Sequence, residues 1–444
     1  MQNYLGKVLM KIHFIGIGGI GISALAKFMQ AKGHEVSGSD MKASLITQYF
    51  IDQGCAVNIG HDESVIKDQD LVVYSAVVKP ENLERSKAEA LGIKCVCRRD
   101  FLPTVVADQE VYAVCGAHGK STTTAMLAGI MEGSAIIGAE SKSIGSNMRF
   151  CDKNNRLLFE ADESDASFLN ANAHVAIVTN AEPEHMEYYD HDTKKFYQAY
   201  IDFLNKAPKR VINAEDPFLS SLEIDAVRLY PSKDLKNIEF ILIDDEPHTA
   251  FDFKDMGRFV VWGFGDHIAL DAALAIFAAL ESGMDIETIR ENLKTYSGIK
   301  KRFDIISKNS TVLIDDYGHH PTEIKATFES IVAYAKLKGI EKITTIWQPH
   351  KYSRTIDNLE GFKNCFQGTN DLIILPVWSA GESQVDIDFE NVFSQYNPQF
   401  VDHVKRDNTY LDLCKDNEVV STINQGLIVS FGAGDITYQM RGEF

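Results

Sequence analysis

Val111-Tyr112-Ala113-Val114-Cys115-Gly116-Ala117-His118-Gly119-Lys120-Ser121-Thr122-Thr123-Thr124 is the stretch on which the fold turns. An apolar run stops at a glycine, and the polar residues after the loop lead into a helical stretch, so the order is strand, loop, helix. Gly119-Lys120-Ser121 is the working end of a phosphate loop. Backbone N–H groups at the helix start wrap phosphates, Lys120 reaches the outer ones, and the Ser121 hydroxyl faces Mg²⁺. The usual first glycine is missing, because the position six before Lys120 is Val114. A nucleotide-bound Mg²⁺ takes hard oxygen ligands from the strands beside such a loop. Downstream, LLFEADES places Glu160, Asp162 and Glu163 at one strand end, and VAIVTN is followed by Asn180, Glu182, Glu184 and His185. Glu160 is the natural metal candidate. Alone, the acidic run reads as a solvated loop or helix cap and His185 as a structural residue. Their placement behind consecutive strands of one phosphate-loop domain makes them site residues.

Working outward, short apolar strands ending in Gly, Asp or Asn alternate with amphipathic helical stretches, the pattern of parallel α/β sheets. Three series separate. The first has strands near 12–17, 35–38, 71–75 and 93–97; the second near 111–115, 157–161 and 175–180, with a long helical stretch over 267–281; the third near 311–315, 343–348, 372–376 and 427–431. A chain of 444 residues is too long for one hydrophobic core. Breaks at 103–108 and near Gly298 predict three domains, 1–106, 107–297 and 298–444. The first and last are Rossmann-like and the central one is P-loop ATPase-like. Ligands of such sheets sit beyond the carboxyl ends of the strands.

The first strand ends in Gly16-Ile17-Gly18-Gly19-Ile20-Gly21, followed by the helix-like SALAKFMQAKG, and the second strand ends at Ser39-Asp40. Glycines here expose backbone N–H groups to a diphosphate at a helix start, and Asp40, 19 residues after Gly21, lies where a ribose-binding acid would. NAD(P), another nucleotide diphosphate and a merely structural turn are all compatible with this pattern. In the third domain Asp315-Asp316-Tyr317-Gly318-His319-His320-Pro321-Thr322-Glu323 follows one strand and Gln348-Pro349-His350-Lys351-Tyr352-Ser353-Arg354-Thr355 the next. Pro321 suits the first turn of a helix. The basic strand end suits the carboxylate of an amino acid, and two His beside two Asp are also compatible with a catalytic metal.

Lys and Arg total 44 against 63 Asp and Glu, a net charge of −19, and a field of that sign repels phosphate backbones and anionic lipid. Nucleic acid is therefore not an expected partner. Cys55, Cys95, Cys97, Cys115, Cys151, Cys365 and Cys414 are scattered, with no C-x-x-C pair, and are expected to be reduced, mostly buried thiols. No stretch approaches the roughly 20 uninterrupted apolar residues of a membrane helix. MQNYLGKVLMKIHF leads into a strand instead of a signal sequence, so the expected compartment is the cytoplasm.

Taken in this order, the residues resemble the Mur ligase family over essentially the whole chain, and within it the L-alanine-adding branch. GIGGIG at 16–21 with Gly38-Ser39-Asp40 is similar to that branch's UDP-binding domain, which implies that Gly16, Gly18, Gly19, Ile20, Gly21, Asp40 and Ser75 hold a UDP-substrate in place of NAD. Gly116-Ala117-His118-Gly119-Lys120-Ser121-Thr122 resembles the family ATP loop, and Glu-Ala-Asp-Glu-Ser-Asp-Ala-Ser-Phe at 160–168 is a specific match. The resemblance implies Mg²⁺ ligation by Ser121, Glu160 and His185, with Asn180 near the phosphates, His267 near the nucleotide, and Arg302 of Lys301-Arg302-Phe303-Asp304 meeting ATP at the hinge. It also implies that Tyr317, His319, His350, Lys351 and Arg354 line the amino-acid site. Two departures stand out: His267-Ile268-Ala269-Leu270-Asp271 replaces the family's His-Asn-x-x-Asn, and Lys351 stands where the branch has Arg, keeping charge but losing bidentate geometry.

The implied reaction activates the carboxylate of UDP-N-acetylmuramate as an acyl phosphate with ATP and Mg²⁺, then joins it to L-alanine, in peptidoglycan precursor synthesis. Lys120, Glu160, His185 and His319 are its expected catalytic residues, and the assembly is a monomer or weak homodimer. With the three ligands on separate domains, closure is expected to bring the reacting atoms together. The rival readings are a ligase adding a recycled murein tripeptide to the same UDP-sugar, an NAD(P)-dependent oxidoreductase, and a nucleotide-sensing module without turnover.

Overall fold

The computed structural model describes residues 9–309, 311–408 and 410–443, so the reading of residues 1–8 as a direct lead into a strand lies outside the described residues. The chain forms two compact units. The first runs through Lys236 and includes Asp252–Phe259 and Ala269–Ser297; the second holds Asn237–Phe251, Val260–Ile268 and the chain from Gly298 on.

The first unit contains two sheets. Five parallel strands lie in the order Ala56–Ile59, Glu35–Asp40, Lys11–Ile15, Leu71–Tyr74, Lys94–Cys97. The strand order reverses beside Lys11–Ile15, which puts the switch-point crevice at the end of the strand that the glycine turn follows. The second sheet has the order Val227–Leu229, Lys209–Asn213, Val175–Val178, Glu110–Cys115, Arg156–Glu160, Ser134–Ser141, Ser146–Arg149. Its last strand is antiparallel and the others are parallel. Glu110–Cys115 is buried beyond its first residue, as a central parallel strand must be. Its neighbours on either side are the two strands whose ends carry Glu160 and Asn180.

One hydrophobic core serves both sheets, joining Phe14, Phe28 and Phe101 to Phe159, Phe168 and Phe196. The helix Arg98–Val106 runs through Pro103, where the sequence predicted a break. A proline inside a helix leaves the carbonyl four residues back without its amide donor. That carbonyl belongs to Arg99, and it accepts instead from Asn170 Nδ2 at 3.1 Å.

In the second unit the strand order is Asp304–Lys308, Thr311–Asp316, Gly426–Phe431, Ile343–Trp347, Asp371–Ile374, Gln399–Phe400, all parallel except the first. Helix Pro321–Lys338 has Pro321 at its first position, a capping box from His320 and Glu323, and Gly339 at φ +65° behind it. Buried Trp347 packs on Phe362, Phe366 and Phe393. Two small three-stranded sheets were not expected from the sequence, one over Leu235–Ile243, Glu246–Phe253 and Arg258–Trp262, the other, antiparallel, over His403–Asp407, Tyr410–Lys415 and Glu418–Ile423. All seven cysteines are free, but only Cys115, Cys365 and Cys414 are buried, so the expectation of mostly buried thiols is corrected. No helix among the described residues is long and apolar enough to cross a membrane.

Candidate active site

After Cys115 the chain turns through Gly116 at φ +139° and Gly119 at φ +83° into helix Lys120–Ile130. A Cβ on Gly116 would stand 2.1 Å from Thr179 Oγ1, and one on Gly119 would stand 2.5 Å from Asp271 Oδ1. Both positions therefore need glycine for conformation and for space. Gly119 supplies no side-chain cap and the first turn holds no acidic residue, which leaves the helix start suited to an anion. Asn180 holds the loop from the adjacent strand: its Oδ1 accepts from the His118 N–H at 3.1 Å and its Nδ2 donates to the His118 carbonyl at 2.9 Å. The sequence placed Asn180 near phosphates; its observed partners are the loop's own backbone. His118 Nε2 lies 3.3 Å from Glu182 and 3.4 Å from Glu184.

Lys120 folds back over the loop, donating to the Gly116 carbonyl at 2.5 Å, the Ala117 carbonyl at 3.1 Å and Glu163 Oε1 at 2.9 Å. Burial works to lower the lysine pKa, but the Glu163 and Glu160 carboxylates outweigh it and hold the ammonium above its ordinary value. Glu163 is 1% exposed and its Oε2 is buried without a hydrogen-bond partner. Burial raises its carboxyl pKa by more than the Lys120 charge lowers it. Sequence reasoning set Glu163 at the strand end but gave it no role. Glu160 Oε2 accepts from the Gly138 N–H at 2.6 Å, Ser121 is buried in the first turn of the helix, and His185 is exposed at φ +51°. Among the described residues no group of three His, Cys, Asp or Glu side chains forms a ready metal cage. The donor set of Ser121 and Glu160 nonetheless has the hard oxygens that Mg²⁺ prefers, beside a cradle that only glycine leaves open.

At the glycine turn, Gly16 has φ +85° and the N–H groups of Gly16 and Ile17 both donate to the Ser39 carbonyl, at 2.8 and 3.0 Å. Asp40 Oδ2 accepts from the Gly18 N–H at 2.9 Å, so the acid braces the turn. Helix Ile20–Ala31 starts without a side-chain cap or an acidic residue in its first turn. A Cβ on Gly16 would lie 3.3 Å from Ser75 Cβ, and one on Gly21 would lie 3.2 Å from Arg98 Nη1. Arg98, a residue that sequence reasoning missed, also donates through Nη2 to Asp162 at 2.8 Å and to Ser167 Oγ at 3.2 Å. It thus spans the glycine turn and the acidic strand end of the second sheet. Its two partners lie 64 and 69 residues away, and no local pattern announces such a pair.

In the second unit, Tyr317, His319, His350 and Arg354 converge. The Tyr317 and His319 rings stand edge to face with centroids 5.4 Å apart, and His319 meets His350 at 5.7 Å. Arg354 Nη1 lies 3.1 Å from His350 Nδ1, which must accept because a guanidinium only donates. Burial, then the neighbouring His319, Arg354 and Lys351 charges, push the His350 pKa down to about 4. Burial also lowers His319, against the Glu323 carboxylate. Lys351 opens the short helix Tyr352–Asp357 at φ +67°, next to this cluster. Asp316 Oδ2 accepts from the Phe303 N–H and Oδ1 from the Gly318 N–H, both at 2.7 Å, and burial raises its carboxyl to about 6. That carboxylate pins the segment after Arg302 to the Tyr317–His319 loop. His267 and Arg302 both belong to this second unit, and the phosphate loop to the first.

A glycine-cradled phosphate loop, a second glycine turn on a Rossmann-like sheet and a basic aromatic cluster define an ATP-dependent α/β enzyme. The chain belongs to the Mur ligase family. Residues 11–110 match the Mur ligase family catalytic domain and residues 114–230 match the Mur ligase middle domain. It is 53% identical over 437 residues to the UDP-N-acetylmuramate–L-alanine ligase of Campylobacter curvus, covering 98% of this chain and 100% of that one. Identity to the UDP-N-acetylmuramate–L-alanine ligase of Helicobacter pylori strain P12 is 52%, covering 98% and 96%. The crystal structure of the UDP-N-acetylmuramate-alanine ligase of Thermotoga maritima superposes with a TM-score of 0.82 at 25% identity, covering 97% of each chain. The fold of a murein peptide ligase from Psychrobacter arcticus is similar at a TM-score of 0.64 and 21% identity, covering 96% of each.

Proposed function

We propose that this chain is an ATP-dependent ligase that adds L-alanine to UDP-N-acetylmuramate, releasing ADP and phosphate, in cytoplasmic peptidoglycan precursor synthesis. The observation that carries this reading is the 53% identity to an L-alanine-adding ligase along 98% of the chain. The likeness to a murein peptide ligase, at 21% identity, is one of fold alone, and the nicotinamide reading leaves the phosphate loop without a purpose.

A carboxylate is a poor electrophile, so it must first exchange its charge for a leaving group. In the proposed course the lactyl carboxylate attacks the γ-phosphoryl group of ATP, giving an acyl phosphate and ADP. The loop from Gly116 to Thr122 cradles the phosphates through its backbone N–H groups other than that of His118, which Asn180 holds, and Lys120 exchanges its contacts with the Gly116 and Ala117 carbonyls for phosphate oxygens. Glu163 keeps that lysine ionised and aimed. Ser121, Glu160 and His185 would hold Mg²⁺, which when bound neutralises charge on the transferring group. Glycines 16, 18, 19 and 21 with Ile20, Asp40 and Ser75 take the UDP moiety; His267 and Arg302 take the ATP nucleoside end. Tyr317, His350, Lys351 and Arg354 receive the alanine carboxylate. His319, held below the usual histidine range, is neutral at pH 7 and so has a lone pair for the amine proton when the amine displaces phosphate. The functional division falls at 1–106, 107–297 and 298–444, and the working species is a monomer or weak homodimer.

Mass spectrometry of a reaction containing Mg-ATP, UDP-N-acetylmuramate and a mixture of amino acids and murein tripeptide tests this. The expected product is UDP-N-acetylmuramoyl-L-alanine with phosphate in equal amount. An amide with the tripeptide, or none, overturns it.

A further inference from the structure

Beneath the glycine turn lies a buried polar knot that none of the roles above employs. Glu84, in the first turn of helix Leu83–Ala90, is 0% exposed. Its carboxylate meets His13 Nε2 at 3.3 Å, the Ser39 hydroxyl at 2.5 Å, His61 Nδ1 at 3.4 Å and the Asp62 N–H at 3.1 Å. An ionised carboxylate only accepts, so each partner must donate, and the nitrogen that each histidine turns toward it carries a proton. His13 Nε2 therefore donates to Glu84, and its Nδ1 lies 2.9 Å from the Ser37 hydroxyl. His61 carries its proton on Nδ1, which is also 3.2 Å from the Ser39 oxygen. Burial works to raise the Glu84 pKa, but the His13 and Ser39 hydrogen bonds outweigh it and hold the group ionised.

The knot ends on the strand residue that shapes the turn. The Ser39 carbonyl takes the N–H groups of both Gly16 and Ile17, and the next residue, Asp40, takes that of Gly18. Rotation or slippage of Ser39 therefore re-aims every backbone donor in the first half of the turn. A buried charge that draws four donors together costs desolvation, and here all four are arranged around this one strand end.

We propose that Glu84 is a positioning residue for the UDP-substrate: together with His13 and His61 it locks Ser39, and through the Ser39 carbonyl it sets the glycine turn that receives the diphosphate. This rests on the reading of residues 16–21 as the UDP-substrate site. The test is steady-state kinetics and thermal melting of full-length Glu84→Gln, Ser39→Ala and the double variant. A glutamine turns one acceptor oxygen into an NH₂ group facing donors, so Glu84→Gln raises the KM for UDP-N-acetylmuramate about tenfold, the loss of a charge-assisted bond. The KM values for ATP and L-alanine and kcat stay within about twofold, because Glu84 shares no hydrogen bond with the residues assigned to those ligands. The double variant is no worse than the worse single one, since both act along one path. A merely structural glutamate gives the opposite pattern, lower melting and lower apparent kcat with every KM unchanged, and overturns the proposal. Should Glu84→Gln not fold, His61→Asn, at a partly exposed side chain, carries the same KM split. Wild-type enzyme that turns over normally beside variants with an unchanged KM sinks this inference alone. Wild-type enzyme that ignores UDP-N-acetylmuramate sinks the proposed function itself.

Discussion

Replacing Lys120 by Ala removes the sole cation hydrogen-bonded to Glu163 among the described residues, a carboxylate 1% exposed whose other oxygen has no partner. Breaking a buried pair from one side costs about 3–5 kcal/mol. Burial already works toward the neutral form of Glu163 and so offsets part of that cost, which places it at the lower end, about 3 kcal/mol. For a cooperative unit of this size that is a fall in Tm of roughly 6–12 °C. Adding Glu163→Gln removes the stranded charge, so the double variant recovers most of the lost stability. It recovers no activity, because the phosphate oxygens still lack the Lys120 charge. Melting curves at pH 7.5, phosphate release, and calorimetric titration with UDP-N-acetylmuramate read the three quantities; binding of the UDP-sugar stays close to wild type. A double variant that melts no higher than Lys120→Ala, or a single variant that still makes product, refutes the reasoning.

Gly119→Ala forces a side chain into φ +83° and against Asp271, costing about 1–2 kcal/mol in backbone strain alone, and the KM for ATP rises while the alanine KM does not; kinetics with each substrate varied in turn would show otherwise. Arg354→Ala raises the KM for L-alanine about tenfold or more, the worth of a charge-assisted bond to a carboxylate, and an unchanged alanine KM removes Arg354 from the site. Asp316 is raised from 3.8 to about 6 in the folded chain, so the folded state binds more protons than the unfolded one between those values. Its contribution to stability is full below pH 3.8 and is lost as pH rises through about 6. Asp316→Asn removes that dependence, so the stability difference between variant and wild type moves by about 3 kcal/mol in favour of the variant from pH 4 to 7. A pH-independent difference in denaturant titrations would contradict it.

The elements that the sequence disclosed are those written locally. Strand, glycine loop and helix follow one another from Val111 to Thr124, and the burial of Glu110–Cys115 makes the apolar run unambiguous. Pro321 with Glu323 two residues on announces the capped start of helix Pro321–Lys338 in the same way. What stayed hidden was carried by partners far apart in the chain. Arg98 finds Asp162, Glu84 finds His13 and Ser39, and Asp316 finds the Phe303 amide only once sheets and helices have packed. The Glu418–Ile423 strand was missed because nearly all of it is exposed, so no buried face imposed an alternation. The spacing of Asp40 from the glycines does not reveal that its Oδ2 also serves the Gly18 amide.

Pro103 leaves a gap in one helix, and Asn170, from the short 3₁₀ turn Ser167–Asn170 between two strands of the second sheet, fills it. A missing amide proton has thus become a mortise into which another part of the chain is fitted. A fragment cut after residue 106 would keep the socket and lose the tenon, along with the aromatic half of its interior that Phe168 and Phe196 provide. Excising the first sheet to study its nucleotide chemistry alone should therefore yield a sticky, poorly folded polypeptide; the two sheets are to be expressed and handled as one piece.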